Sequence, residues 1–370
     1  MAKKSKKKVY YRTEELLFSS ESERIESCLS KEVCSPKDIV AYLNKNVIGH
    51  ERAKKTLAVA AYNHLRRINN SESQISIPKS NILLQGSTGS GKTFLLKNLA
   101  SFLNVPLVIC DTSIITEASF KGKNVETILA DLYYAADKDI AKAEKGIIFL
   151  DEFDKLSNGM GSINSSGGSV GLGVQRQMLK MIEGCVMTVP IAKGSDVRIN
   201  TENILFICGG AFVGIRGEKN QITEKHLIGF GRRESKPQEK RRLMHQDFVE
   251  YGLIPEIVGR LPLIVELDAL TEKDLVNILL ISESSVIKSY QNDLKANDVE
   301  LIFEVDAITE IAHIAHRKNT GARGLNAIIE EIMEGIMYEI PSDPLICRCT
   351  ITKQAVSGED VPIIERQAEI

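Results

Sequence analysis

Residues 82–103, ILLQGSTGSGKTFLLKNLASFL, constrain this chain more than any other stretch. Ile82, Leu83 and Leu84 form a short continuous apolar run that reads as a buried strand, and Phe94 to Leu103 has helical period. Between them, Gly86 to Thr93 fits the pattern GxxxxGK[ST]. A strand, a glycine turn and then a helix bring backbone N–H groups together at a helix N-terminus, where negative charge is favoured. Gly86, Ser87, Thr88, Gly89, Ser90 and Gly91 are therefore the expected phosphate cradle. Lys92 is the ammonium expected to reach the outer phosphates, and Thr93 the hydroxyl ligand of a Mg²⁺ that bridges them.

Similar apolar runs recur at Val105 to Cys110, Ile147 to Leu150, Ile204 to Cys208 and Leu263 to Val265, with helical patterns between them. Continuous apolar strands alternating with helices predict an α/β fold, a parallel sheet covered on both faces. Ser35, Pro36 and Asp38 read as a helix start, and Ala53, Leu57, Ala60, Ala61 and Leu65 share a face of the helical pattern that follows. Residues 1–34 are polar and read as a disordered tail. The expected P-loop domain spans 35–265. After LPLIVELDAL the strand signals almost vanish, and Thr271 with Asp274 marks a capped helix start. A smaller, mostly helical domain is expected over 266–352, with 353–370 as a loose tail.

The stretch GIIFLDEFDKL places Asp151 and Glu152 at the C-terminal end of a buried strand, the edge where open parallel sheets bind ligands. Asp151 is the expected second holder of Mg²⁺, and Glu152 the residue that orients and polarises an attacking water. Phosphoryl transfer also needs cations where negative charge spreads in the transition state. Arg260, just before the last apolar run, and Arg323, at a glycine-marked helix start, are the candidates. Residues 157–175, SNGMGSINSSGGSVGLGVQ, carry no charged side chain and run into a helix whose Val174, Met178, Met181 and Ile182 share a face; that pattern reads as a working loop.

A net charge of −2 on 370 residues gives no basic excess to hold nucleic acid, and no run approaches the roughly 20 apolar residues of a membrane span. The five lysines of MAKKSKKK lack the apolar segment of a secretory signal. Seven scattered cysteines, an odd number, point to a reducing compartment, and their spacings predict no structural zinc. The expected setting is cytoplasmic, of bacterial type, with an organelle matrix as the other possibility.

GSTGSGKT, GIIFLDEFDKL, ILFICGGAF, YGLIPEIVGRLP and TGARGL, in this order, resemble the ClpX family of AAA+ unfoldases from about Ser35 to Ser342. The resemblance implies a homohexamer with ATP at its subunit interfaces that threads protein substrates through a central pore and passes them to the ClpP peptidase. It further implies that Arg260 reaches into a neighbour's site, that Arg323 is the sensor-2 residue, and that Val47 and Ile48 wall the adenine. Phe120 and Lys121 fall on the family's substrate-gripping loop, where Phe120 supplies the aromatic. Ile228, Gly229 and Phe230 match the tripeptide that docks on ClpP; an exposed Ile and Phe beside GRRESK also make little sense as core. The likeness is to a form without the family's N-terminal zinc domain. The second pore loop here lacks a basic residue, and of the basic loop at the pore entrance only Lys193 and Arg198 remain. Two other readings fit a P-loop: a stand-alone chaperone without a protease, and a nucleic-acid remodelling ATPase.

Overall fold

The computed structural model describes residues 35–69, 77–115, 124–157, 168–191, 195–216 and 241–367. The expected tail at 1–34, the gripping residues Phe120 and Lys121, the docking tripeptide Ile228, Gly229 and Phe230, and Lys193 lie outside them.

All five expected apolar runs are strands of one parallel sheet: β1 Ile82–Gly86, β2 Leu107–Asp111, β3 Ile147–Asp151, β6 Leu205–Gly210 and β7 Leu263–Leu267, in the spatial order β2-β3-β6-β1-β7. Alternate side chains enter two cores, since a strand points successive residues to opposite faces. Leu83, Ile148, Leu150, Phe206 and Cys208 belong to one core, and Ile82, Leu84, Ile147, Phe149, Leu205 and Ile207 to the other. Burial on both faces is why these strands read as unbroken apolar runs rather than as alternation.

Helices α1 Pro36–Asn46, α2 Glu51–Asn69 and α3 Lys92–Leu103 cover the second face. Helix α1 starts as its sequence predicts, with Ser35 and Asp38 capping each other's backbone N–H. On α2, Ala53, Leu57, Ala60 and Ala61 are buried. The first face carries α4 Val125–Ala135, the short α5 Ile140–Ala143, α6 Gly168–Glu183, α7 His245–Tyr251 and α8 Pro255–Gly259. The four apolar residues of α6, Val174, Met178, Met181 and Ile182, are fully buried. Each is worth about 1.5–3 kcal/mol against exposure.

A hairpin of β4 Val186–Ile191 and β5 Ser195–Asn200 was not legible as strand. Its residues are mostly half-exposed or exposed, with Thr188 and Pro190 interrupting the apolar residues of β4, and Arg198 is itself exposed.

Past β7 the chain builds a separate core from α9 Glu272–Leu280, α10 Val286–Lys295, α11 Val305–Arg317 and α12 Ala322–Glu339. Thr271 and Asp274 form a reciprocal cap at the start of α9. This unit is mostly helical, but it also holds a three-stranded sheet, β10-β9-β8, formed by β8 Glu300–Phe303, β9 Ile346–Ile351 and β10 Ile363–Arg366. The expectation of a loose tail over 353–370 is corrected by this sheet. Residues 353–357 are helix α13, capped by Thr352, and 363–366 pair antiparallel with β9. The outer strand β10 is largely exposed, so it left no burial pattern in the sequence.

Candidate functional site

The C-terminal ends of β1, β3 and β6 open on a cleft of about 360 Å³. Residues 88–91 line it. Gly91, at φ +88°, caps α3 in the left-handed region with no side-chain hydrogen bond, and a Cβ there would meet nothing within 4 Å. The first N–H groups of a helix have no partner within it. Here no side chain covers them at the cap either, so the loop fits an anion. Lys92 Nζ curls back to the carbonyls of Gly86 at 2.6 Å and Ser87 at 3.2 Å, and burial holds its pKa below the ordinary lysine value against the pull of Asp151 and Asp154.

Asp151 ends β3 and Glu152 follows in a left-handed conformation, φ 57° and ψ 31°. Burial pushes the Asp151 carboxyl up from its usual range, while the Glu152 N–H, donating to Asp151 Oδ1 at 2.9 Å, and the Lys92 charge pull it down. The Glu152 carboxylate is paired with Lys155. Thr112, fully buried at the end of β2, holds this turn: its hydroxyl lies 3.0 Å from the Asp151 carbonyl and 2.9 Å from that of Glu152. Asp154 Oδ2 accepts the Phe212 N–H at 3.1 Å, tying the same turn to the end of β6.

The smaller unit closes the cleft. Arg323 and Asn326 of α12 line it, as do Leu270 and Ile278, opposite Val47 and Ile48. Gly321 precedes α12 at φ 59° and ψ −149°, a region open to glycine alone, and the Ala322 N–H donates to the Gly89 carbonyl at 3.1 Å. A Cβ on Gly321 would sit 2.6 Å from that carbonyl oxygen, and one on Gly89 2.4 Å from the Thr320 carbonyl oxygen. Asn46 ties the apolar wall to the same unit, because its backbone carbonyl accepts from Ser282 Oγ at 3.1 Å and its Oδ1 from Ser284 Oγ at 2.8 Å. His50 Nε2 lies 2.9 Å from the Ser90 carbonyl, which can only accept, so Nε2 is the donor; burial lowers the imidazole's pKa.

One cleft thus brings together Val47, Ile48, Thr88 to Thr93, Asp151, Glu152 and Arg323. Arg260 is not in it; it ends α8 and pairs with Glu183. Thr112, Asn46, His50, Ser282 and Ser284 had no sequence signal, since each acts through a contact with residues distant in the chain. Among the described residues, no group of three or more His, Cys, Asp or Glu side chains is set to hold a metal ion. Thr93 and Asp151, both facing the cleft, are the residues that fit a Mg²⁺ shared with phosphate oxygens.

A model of the AAA domain (Cdc48 subfamily) matches residues 77–264, and one of the C-terminal, D2-small domain of ClpB protein matches 270–346. The ATP-dependent Clp protease ATP-binding subunit ClpX of Borrelia duttonii is 42% identical over 363 residues, covering 94% of this chain and 85% of its own length. This chain belongs to the ClpX family. The Borrelia recurrentis protein of the same name gives the same figures. The ClpX of Treponema denticola is 44% identical over 326 residues, 83% of this chain and 78% of its own. Membership carries nucleotide binding with it, and the parallel sheet and smaller helical unit are those of the family's AAA+ architecture.

Proposed function

We propose that this chain is an ATP-driven protein unfoldase, the regulatory subunit of a Clp-type protease, and that it works as a homohexamer delivering substrates to ClpP. The observation that carries this reading is a division of labour. One chain assembles the phosphate loop, the acidic pair and Arg323 in a single cleft, while Arg260 lies elsewhere with an exposed guanidinium. A finger that does not reach its own site is suited to a neighbour's.

In this reading the loop N–H groups and Lys92 hold the outer phosphates of ATP, and Val47 and Ile48 pack on the base. Thr93 and Asp151 hold Mg²⁺, which when bound supplies positive charge to the phosphates. Glu152 orients the attacking water and takes its proton. Arg323 and the neighbour's Arg260 stabilise the spreading charge; fingers of this kind are worth roughly 10³–10⁵ in rate. Phe120 grips substrate. Burying one Phe yields about 1.5–3 kcal/mol against the 5–15 kcal/mol that hold a domain folded, so several subunits must grip in turn. Ile228, Gly229 and Phe230 dock on ClpP. The large domain is assigned to 35–265 and the small one to 266 onward. Among the described residues no helix is long and apolar enough to cross a membrane.

The test is ATP-dependent loss of a tagged, folded fluorescent reporter with and without added ClpP. Loss that needs ClpP, and that disappears in Glu152→Gln while ATP still binds, is the expected result. Unfolding of the reporter by the intact chain with no degradation when ClpP is added, and no change on deleting residues 228–230, would favour a stand-alone chaperone. A protein that stays monomeric with ATP and Mg²⁺ would overturn the whole reading.

A further inference from the structure

Arg260 is held from two directions. Asn81 Nδ2 donates to its backbone carbonyl at 3.1 Å, and Oε1 of Glu183 accepts from its Nε at 3.0 Å and its Nη2 at 2.9 Å. Both anchors are themselves fixed. Asn81 is buried immediately before β1, and its Oδ1 accepts the Phe206 N–H at 3.1 Å. Glu183 is the last residue of α6, whose end is pinned by Lys79: Nζ donates to the carbonyls of Ile182 and Thr201, each at 3.0 Å. The backbone of Arg260 is thereby referenced to the strand that leads into the phosphate loop, and its guanidinium to α6.

The geometry of the fork matters. One carboxylate oxygen takes the edge formed by Nε and Nη2, which leaves the Nη1 donors on a side chain that is 57% exposed. An exposed ion pair contributes little to stability, so a purely structural account of Glu183 is weak. Orientation is another matter, because an unrestrained arginine would spread over many rotamers.

We propose that Glu183 is a positioning residue for catalysis, fixing the Arg260 guanidinium so that its free edge is presented to the terminal phosphate bound by an adjacent copy of this chain. The proposal rests on the reading of Arg260 as a finger acting between copies. Steady-state ATPase is measured on the full chain for Glu183→Ala, Glu183→Gln, Arg260→Lys and the double variant Glu183→Ala with Arg260→Lys, together with nucleotide affinity, melting temperature and assembly mass. Glu183→Ala is expected to lower kcat roughly 10- to 100-fold, the scale of a side chain misplaced by an ångström, with KM, melting and assembly unchanged. Glu183→Gln keeps an acceptor oxygen and recovers most of that loss. With Arg260→Lys already present, removing Glu183 costs less than about 2-fold, since coupled residues do not add. An unchanged or raised kcat in Glu183→Ala, or the same loss in the Arg260→Lys background, overturns the positioning role. Full activity in Arg260→Lys with normal assembly overturns the finger reading first, and this proposal with it.

Discussion

Thr112 has one hydroxyl proton and two carbonyl oxygens, those of Asp151 and Glu152, at hydrogen-bond distance. It is the only tie between the end of β2 and the left-handed Glu152 that acts through a buried hydroxyl among the described residues. Thr112→Val keeps the shape and removes the donor, leaving both carbonyls to find other partners. A loss of about 1–3 kcal/mol in chemical denaturation is expected. The kinetic effect should fall on kcat, by roughly 10-fold or more, with KM for ATP little changed, because the turn aims Glu152 and does not touch the phosphate loop. Equal loss in both parameters would mean that Thr112 supports binding instead. Nothing in the sequence marked this residue: a threonine after an apolar strand is ordinary, and its role is defined by two carbonyls nearly forty residues away. The position of Glu152 after a buried strand was legible because its motif is local.

At the scale of elements, α12 meets the phosphate loop through backbone alone. The Ala322 N–H reaches the Gly89 carbonyl, and Gly321 and Gly89 approach so closely that neither has room for a Cβ. Gly321→Ala must move off its φ of 59° and push the two elements apart, at a cost of about 1–3 kcal/mol. Nucleotide affinity measured by calorimetry is expected to fall, since Arg323 enters the cleft on the same helix turn. Unchanged affinity would show that the contact is not kept once nucleotide is bound. The capped starts of α1 and α9 were readable from Ser35–Asp38 and Thr271–Asp274 because a capping box is written in four consecutive residues. Helix α13 and strand β10 were not, because largely exposed elements carry no burial pattern.

For the molecule as a whole, acid stability offers a measurable consequence. His64 on α2 is buried, its Nε2 lies 3.0 Å from the Lys145 carbonyl, and burial lowers its pKa from 6.5 to about 4. The unfolded chain therefore binds a proton between pH 6.5 and about 4 that the folded chain does not, so this group's contribution is fully present above pH 6.5 and is lost as pH falls toward 4. The loss amounts to roughly 3 kcal/mol. Urea denaturation at a series of pH values, with His64→Gln as the comparison, is expected to show a shallower acid slope in the variant. Parallel curves would mean that His64 does not titrate differently on folding.

What the sequence determined by itself depends on neighbours along the chain. The glycine loop, the helix it opens, the buried parallel strands and the acids that end one of them follow from local sterics and from the periodicity of apolar residues. The order of the strands, the closure of the cleft by the smaller unit, the Thr112 and Asn46 ties and the pairing of Arg260 with Glu183 were decided only by tertiary structure. Each of these joins groups far apart in sequence, and hydrogen bonds and ion pairs depend on distances in space that no local pattern encodes.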